Sequence, residues 1–134
     1  MSTEPPTFAA EPHRIAYHEP GDLGTLRTYV TSYAERAGLP PSRSGLLALA
    51  VSELATNTLM YTAGGGTMVL WAEPGEIVCE LHDQGPVDVR PAAARMPAAD
   101  APSGRGLALV DEVCDEVRTY STAQATVVQV RMRL

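Results

Sequence analysis

Residues 44–63 read SGLLALAVSELATNTLMYTA, and three glycines follow at 64–66. Apolar side chains recur through this stretch at helical spacing, a serine can open it and the glycines stop it, so the pattern predicts a long helix from Ser42 or Ser44 to about Ala63. A helix this apolar needs a layer to lie on. The next residues supply one: 67–73 and 76–83 are β-rich runs joined by Pro74-Gly75, the residues of a tight turn, and they predict a hairpin.

Working outward, a short strand is expected near 14–18, after a Pro-, Glu- and Ala-rich lead-in over 1–13 that has no periodicity. Asp22 can cap a first helix whose apolar stripe is Leu23, Leu26, Val30, Tyr33 and Ala37, with Gly38 and two prolines as the stop. Downstream of the hairpin, 86–103 is rich in proline and alanine and has no pattern, the mark of a long functional or disordered loop. Gly104-Arg105-Gly106 then opens a third helix to about Cys114, and strands near 116–121 and 126–134 close the chain. This order predicts an α+β two-layer sandwich, a mixed, mostly antiparallel sheet of about five strands with three helices on one face, forming one domain over 14–134.

Composition removes several chemistries. All ten basic residues are arginine, so there is no P-loop lysine, no Schiff-base lysine and no Ser-x-x-Lys nucleophile. With sixteen acidic residues the net charge is -6, and no basic cluster offers a footprint for nucleic acid or an anionic membrane. The start has no apolar run of a signal peptide and no segment approaches a membrane span, so a cytoplasmic protein is expected. Cys79 and Cys114 lie in apolar stretches without partner spacing and read as small buried hydrophobes of a reducing compartment. His13, His18 and His82 show no metal spacing.

Three positions carry candidate chemistry. Glu53 is the only ionisable acid or base from Ser44 to Ala72, and Asn57 follows one helical turn later. The pair reads either as a narrow solvated stripe with Ser52 and Thr56, or as a general base beside an amide oxygen able to ligate Mg²⁺. Asp83 shares the parity of Ile77, Cys79 and Leu81 and so points inward. There it can accept from a buried amino group such as that of adenine, or bond its own backbone as a turn aspartate. Thr126 shares the inward parity of Val128, Val130 and Met132 and can stand beside it. Gly104 and Gly106 at a helix start allow backbone amides to approach a phosphate, though glycine also serves as a plain helix cap.

Taken in order, Glu53-Leu-Ala-Thr-Asn57, Asp83-Gln-Gly85, a Pro/Ala-rich loop, Gly104-Arg-Gly106-Leu and Thr126 resemble the boxes of the Bergerat-type, histidine kinase-like ATP-binding fold. Within it, Val51-Ser-Glu53-Leu-Ala-Thr-Asn57 and Ser103-Gly-Arg-Gly-Leu-Ala-Leu-Val110 look most like the anti-sigma regulatory serine/threonine kinases of Gram-positive bacteria. The resemblance runs from about residue 15 to the end. It implies ATP and Mg²⁺ as cofactors, Asn57 as the Mg²⁺ ligand, and Glu53 as the base that deprotonates a serine of an anti-anti-sigma (STAS-type) partner. Asp83 would take the adenine amino group, Gly85 would allow close approach, and Thr126 would assist. Residues 86–103 would form the ATP lid, and Gly104, Arg105 and Gly106 would hold phosphates. It also implies a sigma factor as a sequestered partner and a homodimer. Val87 stands where a second glycine is common in the Asp-x-Gly-x-Gly box, Tyr61 stands where related helices often place a histidine, and Arg90, Arg95 and Arg105 are the candidates for the terminal phosphate. A nucleotide-gated interaction module without turnover is the alternative function.

Overall fold

In a computed structural model of the chain, the backbone is described over residues 12–61, 64–83, 102–121 and 126–134, and the side chains over the same residues except 61, 102–107 and 121. The described elements are β1 (His13–Tyr17), α1 (Leu23–Ala37), α2 (Pro41–Tyr61), β2 (Gly66–Glu73), β3 (Glu76–Asp83), α3 (Pro102–Val113), β4 (Glu116–Ser121) and β5 (Thr126–Arg133), with one 3-10 turn at Pro20–Asp22 before α1. The five strands form one sheet in the order β1-β2-β3-β5-β4. Every pairing is antiparallel, so the sheet is uniform where the sequence suggested a mixed one. The chain leaves β3, passes through α3 to the edge strand β4, and returns as β5 between β4 and β3.

The helices cover one face, with α2 in contact with both α1 and α3. The alternation read from sequence sets the inward side: Ile77, Cys79 and Leu81 of β3 meet Met68, Leu70 and Ala72 of β2 and Val128, Val130 and Met132 of β5 in register. Onto these pack Leu26, Val30 and Tyr33 of α1, Leu47, Val51 and Leu54 of α2, and Val110 of α3. Both cysteines are free and buried. Burial pushes the Cys114 thiol up to about 12, with Asp115 and Asp111 adding to it, and drives that of Cys79 higher still.

Helix ends differ from the sequence reading in instructive ways. The long helix begins at Pro41, not at a serine, because proline at the first position has its φ preset and no amide to lose. Ser44 is instead fully buried and donates its hydroxyl to the Leu39 carbonyl at 3.3 Å. Asp22 does precede α1, but its carboxylate turns back to accept from the amides of His18 at 2.8 Å and Glu19 at 3.2 Å. Gly38 ends α1 as expected: at φ 114° it takes the left-handed conformation that a side chain would resist.

The opposite face of the sheet carries a polar chain of side chains. Glu80, only 9% exposed, accepts from Gln129 at 2.7 Å, His82 at 2.8 Å and Tyr120 at 3.1 Å. Gln129 accepts in turn from Arg131, which reaches Glu73 and Glu76, and Glu73 accepts from the Trp71 indole. Trp71 thus belongs to this face and not to the core.

Candidate functional site

The site is built where the C-terminal half of α2 passes over the ends of the central strands. Glu53 is half-buried and Asn57, one turn on, is 8% exposed. Ser52 is also buried and its hydroxyl accepts from Arg27 of α1 at 3.1 Å. The reading of Ser52, Glu53, Thr56 and Asn57 as a solvated stripe therefore does not describe this helix. Past its first turn the exposed side chains are apolar: Leu46, Leu49 and Met60 are 41%, 40% and 57% exposed. Glu53 sits at the border between that surface and the interior, open enough to meet an incoming group.

Asn57 Nδ2 is buried without a hydrogen-bond partner. An orphaned buried donor costs about 1–3 kcal/mol, so the position calls for an explanation. The planar amide turned by 180° presents Oδ1, an acceptor, in the same place. That suits a hard cation. Among the described residues no group of three or more His, Cys, Asp or Glu side chains could enclose a metal, so a cation held here would draw its remaining ligands from phosphate oxygens and water, as Mg²⁺ usually does.

Asp83 closes β3 and is 8% exposed, pointing inward as its parity required. The Thr126 amide donates to its Oδ1 at 3.2 Å, which extends the register of His82 with Val127 by one residue. Asp83 and Thr126, separated by 43 positions in the chain, are thus brought together at one sheet end. On its other side Asp83 is in register with Gly66, and Gly66 with Tyr17. Tyr17 was legible only as a strand residue; its place in this row follows from a register between strands that no local pattern reveals. Its hydroxyl has Thr58, the residue after Asn57, and Asp83 as polar neighbours. This links the end of α2 to the row of residues beneath it.

The helix start after the long loop lies differently from expectation. α3 begins at Pro102, two residues before Gly104. In a helix that starts there, the amides left without intrahelical partners are those of Ser103 and Gly104, while those of Arg105 and Gly106 belong to the helical ladder. The Arg105 side chain, Gly85 and residues 86–101 of the lid expected over 86–103 lie outside the described residues, as do residues 1–11 of the lead-in expected over 1–13 and residues 62–63, where the long helix was expected to end; residues 102–103 of the expected lid belong to α3. Two open grooves elsewhere, about 710 Å³ along α1 beside Thr25, Tyr29 and Arg36 and about 410 Å³ between α1 and α2 beside Arg27 and Gly45, include none of these site residues. No helix among the described residues is long and apolar enough to cross a membrane.

Comparison with known proteins bears on the fold and the family. A family profile described as a histidine kinase-like ATPase domain matches residues 17–134. The RsbU and RsbW domains of Rv1364c from Mycobacterium tuberculosis superpose with a TM-score of 0.69 at 17% identity, covering 93% of this chain and 33% of that one. The histidine kinase domain of a blue-light activated histidine kinase from Erythrobacter litoralis superposes with a TM-score of 0.54, also at 17% identity, covering 86% of this chain and 60% of that one. This chain therefore spans less than two thirds of either structure. No curated protein matches the chain.

Proposed function

The chain belongs to the histidine kinase-like ATPase domain family, and from that premise we propose that it is an ATP-dependent anti-sigma regulatory factor that phosphorylates a serine of an anti-anti-sigma partner and sequesters a sigma factor. The observation that carries this reading is the pairing on α2 of a half-buried Glu53 with a buried Asn57 whose Nδ2 is unpartnered, next to an exposed surface. The likeness of the Glu53–Asn57 and Ser103–Val110 stretches to the anti-sigma kinases supports the choice of partner.

Each residue has a definite task. Asp83, held by the Thr126 amide, accepts a hydrogen bond from the adenine amino group. The amides of Ser103 and Gly104 face an anion at the positive end of α3. Asn57 offers Oδ1 to Mg²⁺, which when bound neutralises charge on the phosphates. Glu53 takes the proton of the serine hydroxyl as its oxygen bonds to the terminal phosphorus and the bond to the ADP oxygen breaks. Phosphoryl transfer asks little covalent chemistry of the protein, so positioning and one carboxylate base suffice. With no lysine in the chain, contact to the terminal phosphate falls to an arginine.

A binding module without turnover is the second reading, favoured by Val87 in the glycine box and by the commitment of the Gly106 amide to the α3 ladder. Incubation with labelled ATP and an anti-anti-sigma protein separates the two. The proposed function requires phosphoserine on the partner that is lost in Glu53→Gln; transfer undiminished in that variant removes Glu53 from its role, and partner capture with no transfer by the wild type supports the module.

A further inference from the structure

We propose that Tyr17 contacts the base directly, its hydroxyl donating to ring nitrogen N1 of a bound 6-aminopurine. The inference rests on the reading of this site as a nucleotide site with Asp83 at the 6-amino group, and adds to it a contact from the first strand.

Three observations carry it. First, Tyr17, Gly66 and Asp83 form one cross-sheet row, and Tyr17 lies on the helix-facing side with the core. Second, the Tyr17 ring reaches along that row. A Cβ built on Gly66 would lie 2.5 Å from Tyr17 Oη and 2.8 Å from Cζ, so the hydroxyl end of the ring stands over the strand between β1 and β3. Its polar neighbours there include Asp83 and Thr58, the residue that follows Asn57. The hydroxyl is thus set beside the carboxylate assigned to the base and the turn of α2 assigned to the metal. Third, Tyr17 is fully buried and its hydroxyl has no hydrogen-bond partner. A phenylalanine would fill the same space without leaving a buried polar group unsatisfied, so packing alone gives no reason for the oxygen. A ligand that brings an acceptor does.

The chemistry of the base says which acceptor. Burial, partly offset by the Thr58 hydroxyl and reinforced by Cys79 and Asp83, holds the Tyr17 phenol far above its ordinary range, so it remains an O–H donor at any working pH. A 6-aminopurine has three acceptor nitrogens in its rings besides the one bonded to the sugar, and N1 is bonded to the carbon that bears the amino group. With the amino group at Asp83, N1 is the acceptor brought to a hydroxyl beside that carboxylate. A 6-oxo purine carries a proton on N1, so donor would meet donor, and a site built to donate there discriminates against it.

The test measures Kd by calorimetry for the Mg²⁺ complexes of ATP, 1-deaza-ATP and 7-deaza-ATP, with the wild type and Tyr17→Phe. In 1-deaza-ATP a C–H replaces N1 while the amino group and the phosphates are kept. The wild type should bind it about tenfold more weakly than ATP, the effect of leaving one buried donor unsatisfied. In Tyr17→Phe that ratio should fall to about one, and the ratio of ATP to 7-deaza-ATP should be the same in both proteins; the comparison of ratios cancels whatever else the analogue changes. Without nucleotide the melting temperature of Tyr17→Phe should be unchanged or higher, since only an unpartnered oxygen is lost. A purely structural role for Tyr17 would weaken all three nucleotides alike, so a 1-deaza penalty that persists in Tyr17→Phe overturns the proposal. So does a penalty that Tyr17→Phe abolishes for 7-deaza-ATP and not for 1-deaza-ATP. Equal binding of ATP and 1-deaza-ATP by the wild type overturns it while the nucleotide reading stands; no binding of ATP at millimolar concentration overturns both.

Discussion

Substituting Gly66 by alanine probes the row that joins β1, β2 and β3. The added Cβ would stand 2.5 Å from Tyr17 Oη, 2.8 Å from Tyr17 Cζ and 2.6 Å from the His82 carbonyl oxygen. All three distances are inside van der Waals contact, and the last atom belongs to the backbone of the paired strand, which has little freedom to retreat. Overpacking of this kind costs about 1–3 kcal/mol. Removing a glycine from the unfolded chain returns about 0.4–1 kcal/mol. The net expectation is a loss of about 1–2 kcal/mol, or about 4–8 °C in Tm for a domain of this size. Urea denaturation and thermal melting followed by circular dichroism measure it. Combining the change with Tyr17→Phe removes the 2.5 Å contact but leaves the other two, so about half the loss should return. A Gly66→Ala protein as stable as the wild type, or a double variant with no recovery, would refute the packing of Tyr17 over Gly66.

Two further outcomes are expected. Glu53→Gln should lower phosphoryl transfer by about 10²–10⁴-fold while leaving nucleotide affinity within a few-fold, read by transfer kinetics beside direct binding; parallel loss of both would make Glu53 a structural residue. Acid should weaken the fold through identifiable carboxylates. Burial alone would raise Glu80, but the donors Gln129, His82 and Tyr120 together outweigh it and hold the group below its ordinary value. Asp115 is likewise lowered, first by the Arg133 amide and, against the opposing effect of burial, by Arg133 and Arg43. Folded values below the unfolded ones mean that this stability is complete above the unfolded range, about pH 4–5, and is lost as pH falls through the folded values. Urea midpoints from pH 7 to pH 3 should fall accordingly and fall less steeply in Glu80→Gln; a midpoint that is flat across that range contradicts the assignment.

The layer architecture was legible because it rests on local periodicity. The stripe of α1, the apolar run of α2 and the alternation of β3 and β5 placed the core correctly, and parity alone aimed Asp83 inward and put Thr126 on its side of the sheet. What was not legible depends on geometry between distant segments. Gly66 reads as the last of three helix-stopping glycines, yet it is the first residue of β2 and makes room for the Tyr17 ring 49 positions earlier in the chain. Asp22 has the residue type of a helix cap, and only the fold of the preceding turn shows why its carboxylate serves other amides. Glu53 and Asn57 looked equivalent one turn apart; the neighbouring layers bury one and leave the other at the border. The start of α3 moved to Pro102 for the reason that moved α2 to Pro41, since a proline that looks like a break also fits the first position of a helix.

The most direct test of a nucleotide site built from α2 and the ends of β3 and β5 is the melting temperature of the intact chain in Mg-ATP. At about a hundred times Kd, binding should stabilise the fold by ~2.7 kcal/mol. Asp83→Asn should remove most of that gain at the same nucleotide concentration. An unshifted melting temperature with both Mg-ATP and Mg-ADP, at any concentration up to millimolar, would contradict the account.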